Sequence, residues 1–368
     1  MTAKNKIAPW VRLGDYITQR REKNSGLSLP IRGVTSDGFI PPKQLDANTM
    51  LYNVFYKKDF VFNPARMELN SIALNTDYEK AICSSLYEIF YINKPDKLLP
   101  EYLYLYIKRG EFARYCWYDA IGSARNYFRV ANMQDIRIPL PSIEMQREIV
   151  DTYTGLKRLA EENEALIAPL SEACQAFIVD CQKKYPAVEL GKYIEECDER
   201  NTEGKYTLDD VRGISTDKKF ISTKANMDGV SLTSYKVVNP SGFVYVADTS
   251  RRGDKIALAH NNTEQSLLVS SVYTIFKTKE VLLPEYLYLL LSREEFDRYA
   301  RFNSWGSARE TFDWTELCRV SIALPPPEVQ QSIVNLYHCI EEAKKIASEA
   351  RAQLQTLCPA LIQYAEHH

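Results

Sequence analysis

The sequence lacks any apolar run that approaches the roughly 20 residues of a membrane-spanning helix. Lys4 and Lys6 lie near the N-terminus without a hydrophobic stretch behind them, so we expect no secretory signal. With 45% hydrophobic and 26% charged residues, the 368-residue chain has the composition of a globular protein long enough for two domains. These observations predict a cytoplasmic protein.

Patterns typical of metal sites and disulfide frameworks are also missing. The eight cysteines contain no Cys-x-x-Cys pair, and two of the four histidines stand at the very end of the chain. We therefore expect neither structural zinc nor a disulfide framework. The cysteines are interpreted as small buried apolar groups.

Loops that bind nucleotide cofactors are absent as well. None of the 14 glycines forms a Gly-x-Gly, and there is no Walker A lysine loop. The segments 63–66 and 239–242 begin like an adenine-methylase tetrapeptide but lack its second proline and aromatic residue, so they are interpreted as turns. His260 and His338 complete no Ser/His/Asp set. The chain is therefore predicted to have no catalytic residues and no cofactor or metal of its own.

The net charge of −2 is unevenly distributed along the chain. Residues 142–184 hold eight acidic against five basic residues, and residues 326–368 hold five against three. Residues 1–70 instead hold eleven basic and six acidic residues. Because bases can cluster on one face, the overall charge permits a nucleic-acid partner without requiring one.

The second half of the chain repeats the first at a nearly constant offset of 184 positions. Leu99–Leu105 returns unchanged as Leu283–Leu289, and Gly122–Arg125 returns as Gly306–Arg309. A repeat of this length predicts two similar modules related by approximate twofold symmetry. We therefore expect the ligand to have two parts.

Each half divides into a mixed region, a proline-rich stop and a long helical pattern. The boundaries predict a first domain over 1–141, a spacer helix over 142–186, a second domain over 187–325 and a second spacer helix over 326–368. Ser142 offers an N-cap to the first of these helices. The predicted fold class is α+β, with two similar domains joined by two long helices packed as an antiparallel coiled-coil spacer.

A stripe with steps of three and four runs along each helical pattern. Its first copy is Ile149, Tyr153, Leu156, Ala160, Asn163, Ile167, Leu170, Cys174, Phe177 and Cys181. Its second copy is Ile333, Tyr337, Ile340, Lys344, Ala347, Arg351, Leu354, Cys358, Leu361 and Ala365. Such stripes favour two helices about 60 Å long that pack on each other, although each could also pack only on its own domain.

Five polar, charged or proline positions qualify this picture of the helices. Asn163 would fix the register if it is buried, and Pro169 and Pro359 should kink or interrupt their helices. Lys344, like Arg351, is a charged position in the second stripe that could instead face a partner.

The sharpest candidate ligand contacts lie in the repeated Gly-Ser-Ala-Arg segments and the residues that follow. Glycine lets backbone N–H groups approach an anion, serine can donate to phosphate, and arginine pairs with phosphate or guanine. The two copies then diverge, with Asn126 and Tyr127 in the first and Glu310 and Thr311 in the second. Plain turns with a surface arginine remain the alternative.

Further arginines recur at matching places. Arg32 and Arg212 each precede a glycine near an early strand, and Arg66 has its nearest counterparts in Arg251 and Arg252. Together they predict a basic edge on each module, although each alone could be an ordinary surface charge. The repeated tyrosines are instead predicted to pack in the cores: Tyr102, Tyr104, Tyr286 and Tyr288.

The order of these motifs resembles the specificity subunit of type I restriction-modification enzymes. The resemblance covers nearly the whole chain and rests on the duplicated Gly-Ser-x-Arg segment, Ile138–Pro141 with Gln146 and Ile149, and Leu324–Pro327 with Gln330 and Ile333. The module starts at Leu13 and Leu190 also fit. Ala124 and Ala308 depart from the hydroxyl residue that many relatives have there, so less is expected of those side chains.

The resemblance implies a DNA-reading subunit with two target recognition domains, each reading one half of a split double-stranded sequence. It implies two copies of a methylation subunit with S-adenosylmethionine, and an ATP-driven restriction subunit, as partners. The spacer predicts half-sites about one helical turn apart. A scaffold that binds only proteins would explain the repeat equally well but gives the paired arginines no role. The predicted DNA contacts are Arg32, Arg66, Ser123, Arg125, Asn126 and Tyr127 in the first domain and Arg212, Arg251, Arg252, Ser307, Arg309 and Thr311 in the second.

Overall fold

The computed structural model describes residues 8–42, 48–119, 127–223, 226–249, 255–306 and 309–367. The chain divides into two compact units. Unit 1 consists of residues 1–163 and 345–368, and unit 2 consists of residues 164–344. No helix in the described ranges is long and apolar enough to cross a membrane.

The described residues of unit 1 form ten short strands and three short α-helices, followed by the start of a long helix. In chain order these are β1 (Trp10–Arg12), β2 (Ile17–Arg20), β3 (Gly33–Thr35), β4 (Gly38–Ile40), β5 (Asn53–Tyr56), β6 (Phe60–Phe62), β7 (Ile72–Leu74), β8 (Lys80–Cys83), β9 (Glu88–Ile92), α1 (Pro100–Ile107), α2 (Gly110–Asp119), α3 (Val130–Asp135), β10 (Arg137–Pro139) and α4 (Ile143–Lys184).

Unit 2 repeats this order of elements. They are β11 (Ala187–Glu189), β12 (Ile194–Cys197), β13 (Arg212–Ile214), β14 (Phe220–Ser222), β15 (Lys236–Val238), β16 (Phe243–Tyr245), β17 (Leu258–His260), β18 (Leu267–Val269), β19 (Thr274–Thr278), α5 (Pro284–Leu291), α6 (Glu294–Phe302), α7 (Trp314–Arg319), β20 (Ser321–Ala323) and α8 (Pro327–His367).

The strand pairings repeat as well. A four-stranded antiparallel sheet has the order β2-β9-β6-β7 in unit 1 and β12-β19-β16-β17 in unit 2. Three two-stranded pairs accompany each sheet, namely β1-β10, β3-β4 and β5-β8, and their counterparts β11-β20, β13-β14 and β15-β18. The sequence repeat is therefore a repeat of topology, and the predicted α+β class with two similar domains is confirmed.

The sheets pack against the short helices through aromatic cores. Phe60 stacks on Phe90 with ring centroids 4.7 Å apart, and the matching pair in unit 2 lies at 4.9 Å. Tyr102 and Tyr286 are fully buried, and each donates its hydroxyl to a backbone carbonyl of the last strand of its unit. The prediction that these tyrosines pack in the cores is correct.

The long helix α4 begins as the sequence predicts, because Met145 N donates to Ser142 Oγ over 3.3 Å. Pro169 and Pro359 lie inside continuous helices, so neither interrupts its helix, and the alternative of a local kink stays a prediction. All ten stripe positions of α4 are buried or half-buried. Among the stripe side chains of α8 whose burial the structure describes, Lys344 alone is exposed, and Ala343 is buried instead.

Each unit contains one half of each long helix. In unit 1, Ile149 near the start of α4 shares one apolar core with Ile362 near the end of α8. In unit 2, Cys174 in the second half of α4 shares a core with Ile333 at the start of α8. Each unit by itself thus combines the start of one helix with the end of the other, as in an antiparallel pair. Asn163 donates to Leu159 O of its own helix.

Unit 2 differs from unit 1 by a buried histidine in its sheet. His260 is 8% exposed and lies 4.7 Å from the ring centroid of Phe243. Its Nε2 has no hydrogen-bond partner in the part of the chain that the structure describes. Burial lowers the pKa of His260 to about 4. Leu74 takes this place in unit 1, since it pairs with Phe60 as His260 pairs with Phe243.

We expect unit 2 to lose stability in acid through His260. The unfolded histidine binds a proton near pH 6.5 and the folded one near pH 4. The unfolding free energy should therefore be constant above this window and fall by roughly 3 kcal/mol as the pH drops through it. His260→Leu, which copies unit 1, should flatten that slope in urea unfolding. The exposed His338→Leu is the control, and equal slopes for both variants would contradict the prediction.

Candidate nucleic-acid interface

Two of the predicted arginines of unit 1 line the same open cleft. Arg32 comes from the start of the β3–β4 hairpin, and Arg66 comes from the 3₁₀ turn Pro64–Leu69 that follows β6. The cleft has a volume of about 660 Å³ and includes Leu86 and Tyr87 in its wall. The sheet therefore brings together two cations that stand 34 positions apart in the sequence.

Arg32 is partly held by the protein itself. Its Nε donates to the Tyr78 hydroxyl over 2.7 Å, its guanidinium lies 4.7 Å from the centre of that ring, and its Nη1 donates to Ile31 O. Arg212 repeats part of this geometry, because its Nη1 donates to Val211 O over 2.9 Å and to Asp209 O over 2.6 Å. Both side chains are half-buried. Since guanidinium carries five donors, each arginine keeps N–H groups for a ligand.

Arg66 is exposed at the surface of its turn. The turn is capped by Asn63, whose Oδ1 accepts from Ala65 N over 3.1 Å. The Asn63–Arg66 segment is therefore a capped turn, as the sequence predicts. Thr249, the position that aligns with Arg66, is 4% exposed and donates to Glu310 O, so the aligned position of unit 2 presents no basic side chain.

A phenylalanine three positions after each Gly-Ser-Ala-Arg segment bonds to the chain that follows the second strand of the main sheet. Phe128 N donates to Pro64 O over 2.9 Å in unit 1, and Phe312 N donates to Ala247 O over 2.8 Å in unit 2. In both units, therefore, the residues that follow the repeated segment lie beside a second segment that the sequence singled out separately. Together they form the candidate interface.

The loop of unit 2 is a short hairpin. Trp305 and Thr311 exchange two backbone hydrogen bonds of 3.1 and 3.0 Å, and Thr249 N donates to Glu310 O over 3.0 Å. Arg309 and Thr311 are exposed on it. Glu310 is held by an ion pair with Arg301. The hairpin thus presents Arg309 to solvent while its neighbours fasten the backbone.

In unit 1, Tyr127 follows the corresponding loop and is half-buried. Its ring lies 5.5 Å from the guanidinium of Arg129, which also forms an ion pair with Glu88 at 3.2 Å. Glu88 further accepts from Val130 N over 2.6 Å. Tyr127 is therefore positioned at the base of the loop by its packing on Arg129.

In each unit, a lysine links the hairpin that starts beside Arg32 or at Arg212 to another part of the unit through hydrogen bonds. In unit 1, Lys108 at the end of α1 donates to Ser36 O in the β3–β4 turn over 2.7 Å and to Asn70 O over 3.1 Å. In unit 2, Lys218 in the β13–β14 turn donates to Ile256 O over 2.8 Å and pairs with Asp297. Burial lowers the pKa of Lys108 to about 8, and it also lowers the pKa of Lys218. Both lysines thus bond the hairpin to the rest of the unit, but Lys108 lies outside the hairpin and Lys218 lies within it.

Six predicted contact residues lie outside the described residues: Ser123, Arg125, Asn126, Arg251, Arg252 and Ser307. Sequence reasoning named Gln146 and Gln330 as part of a motif without assigning them a role, and it missed the two lysines and an exposed apolar turn residue in each unit. A repeated Ser-Ser-x-Tyr pattern marks the last of these in the sequence. No group of His, Cys, Asp and Glu in the described ranges could hold a metal ion.

Comparison with known proteins agrees with this architecture. Residues 51–170 match the family model of the type I restriction modification DNA specificity domain. The chain is similar to the S subunit of a type I restriction-modification system from M. genitalium, at 12% identity and a TM-score of 0.57, with 99% of this chain and 98% of that chain covered. It is also similar to the HsdS subunit from Thermoanaerobacter tengcongensis, at 18% identity and a TM-score of 0.44, covering 98% and 96% of the two chains. No curated protein matches the sequence. The first of these structures shows a shared fold over the full length.

Proposed function

We propose that the whole chain is a DNA specificity subunit, because residues 51–170 match the family model of the type I restriction modification DNA specificity domain. Each unit reads one half of a bipartite double-stranded DNA sequence. The observation that carries the proposal is that, in both units, the phenylalanine three positions after the Gly-Ser-Ala-Arg segment bonds to the chain that follows the second strand of the main sheet. The chain carries out no catalysis of its own.

In unit 1, Arg32 and Arg66 face one cleft from two directions, which suits contacts to neighbouring groups of one DNA groove. Arginine donates two parallel hydrogen bonds to guanine O6 and N7, and each such pair provides roughly 1–3 kcal/mol of discrimination. Contacts to phosphates fix the register without specifying sequence. The exposed Arg309 has the corresponding role in unit 2.

The chain works as part of a larger assembly. Two methylation subunits bring S-adenosylmethionine, a restriction subunit brings ATP, and the long helices α4 and α8 provide the surface on which the methylation subunits dock. The helices also set the separation of the half-sites, about one helical turn of DNA. A scaffold that binds only proteins is not favoured, because it leaves the paired arginine segments without a role.

The proposal is tested by co-expressing the chain with the methylation subunit encoded beside it and mapping adenine methylation in a host without other methylases. We expect one split motif. Arg66→Ala should relax recognition in one half of it and Arg309→Ala in the other half, each by about 5- to 100-fold. The ion-paired surface variants Arg12→Ala and Arg319→Ala are the controls and should leave the motif unchanged.

Binding assays at several salt concentrations complete the test. Removal of an arginine that contacts phosphate should weaken binding to every sequence and reduce the salt dependence by about one counterion. A stable complex with the methylation subunit that shows neither methylation nor salt-dependent DNA binding would contradict the proposal and support the scaffold.

A further inference from the structure

An exposed aliphatic residue stands on the same turn in both units. The sequence Ser84-Ser85-Leu86-Tyr87 precedes β9, and Ser270-Ser271-Val272-Tyr273 precedes β19. Leu86 is 76% exposed and Val272 is 75% exposed. In contrast, Tyr87 and Tyr273, which follow them, pack against the cores. Each unit thus presents one aliphatic side chain to solvent at an equivalent point.

The turn holds this side chain in a fixed place. Tyr87 N donates to Ser84 O over 3.0 Å, Leu86 N donates to Ser84 Oγ over 3.3 Å, and Asn53 Nδ2 donates to Tyr87 O over 2.7 Å. In unit 2, Tyr273 N donates to Ser270 O over 3.1 Å. Because these hydrogen bonds already restrain the backbone of the turn, it loses little further conformational entropy when the side chain binds a ligand.

Leu86 belongs to the wall of the cleft that also contains Arg32 and Arg66. An exposed aliphatic group next to two cations matches the edges of adjacent base pairs in the DNA major groove. There, the thymine of an A·T pair presents a C5 methyl group, and the guanine of a G·C pair presents the acceptors that arginine prefers. Aspartate and glutamate are absent from the described lining of the cleft, so nothing in it repels phosphates.

We propose that Leu86 and Val272 are base-reading residues, each of which contacts the C5 methyl group of a thymine in the half-site of its own unit. This inference rests on the proposed function and assigns a specificity-determining contact within it. The aliphatic side chain excludes water from the methyl group, so that an A·T pair is preferred at that position.

The test uses the full chain assembled with its methylation subunit and duplexes that carry the mapped motif. Each thymine of the two half-sites is replaced singly by uracil, which lacks only the methyl group. We expect one uracil in the half-site of unit 1 to weaken wild-type binding about fourfold, the effect of exposing one methyl group to water. Leu86→Ala should bind the thymine duplex about as weakly and lose its sensitivity to that uracil. Val272→Ala should do the same in the other half-site.

Leu166→Ala, which shortens a leucine that is 49% exposed on α4, is the matched control and should keep the full thymine preference. If the effects of Leu86→Ala and of the uracil multiply, or if no uracil weakens wild-type binding, the proposed contact does not exist. 2-Aminopurine in the duplex reports unstacking of bases. If its fluorescence increases when wild-type complex binds but not when Leu86→Ala binds, Leu86 inserts between bases and the proposed methyl contact is wrong. Failure of the proposed DNA-recognition function would be distinguishable from failure of the thymine contact, because the wild-type complex would then bind no motif duplex specifically.

Discussion

Gly306→Ala is expected to abolish recognition of the half-site that unit 2 reads, with adenine methylation of the target reduced by about two orders of magnitude. Gly306 has a φ of +146°, which side chains with a Cβ rarely adopt. A Cβ there would also lie 2.0 Å from Arg309 O, although real Cβ atoms stay beyond about 3 Å. The hairpin from Trp305 to Thr311 must therefore move, and Arg309 moves with it.

The size of this effect follows from the role proposed for the hairpin. If Arg309 and a neighbouring residue contact bases as proposed, displacing the hairpin removes two base contacts of roughly 1–3 kcal/mol each, which corresponds to about a hundredfold or more. The fold of unit 2 should survive, since Phe312, the anchor of the loop, is fully buried in the core. Methylation mapping together with thermal unfolding separates the two outcomes.

Gly110→Ala is the control for this change. A Cβ at Gly110 would meet no atom within 4 Å, and its backbone is not in the positive-φ region. It should therefore leave methylation and stability close to wild type. Normal methylation by Gly306→Ala would show that the hairpin does not position a DNA contact.

The sequence repeat predicts that both units share one topology, because similar sequences adopt similar folds. Once Leu99–Leu105 and Leu283–Leu289 are aligned, every strand pair found in one unit recurs in the other. The period of the long stripes predicts burial along α4 for the same reason, since alternating steps of three and four keep one face of a helix inward. Local rules also place the Ser142 cap and the capped turn at Asn63.

The parts that the sequence does not predict depend on partners far away in the chain. Arg32 is drawn to Tyr78, which is 46 positions away, and no local pattern encodes that contact. Lys108 and Lys218 make equivalent links but lie at positions that do not align in the repeat, at the end of α1 and in the β13–β14 turn, so comparing the two halves does not reveal them. The stripe of α8 shifts from Lys344 to Ala343 because burying an ammonium group is unfavourable and a neighbouring small residue can take its place.

The buried glutamines show how a motif can be recognised without its role being understood. Gln146 and Gln330 belong to the repeated Gln-x-x-Ile pattern, and both are 0% exposed. Gln330 Oε1 accepts from Leu283 N over 2.8 Å, while its Nε2 donates to Val281 O over 2.9 Å and Pro325 O over 2.8 Å. Gln146 makes the equivalent three bonds in unit 1, to Leu99, Lys97 and Pro141. Each glutamine therefore ties the start of a long helix to the start of a short one.

Gln330→Leu should consequently destabilise unit 2 by about 2–5 kcal/mol, because it removes the partner of three backbone groups in one buried and two partly buried hydrogen bonds, at roughly 1–3 kcal/mol each and partly offset by hydration. Gln331→Leu changes the adjacent, exposed glutamine, whose one described bond is to Asn335, and should shift stability by less than about 0.5 kcal/mol. Urea unfolding of both variants in the full chain measures the difference. Equal, small effects would show that the three bonds at Gln330 do not hold α8 to its unit, whereas a large loss confined to Gln330→Leu would explain why the pattern occurs at the start of both long helices.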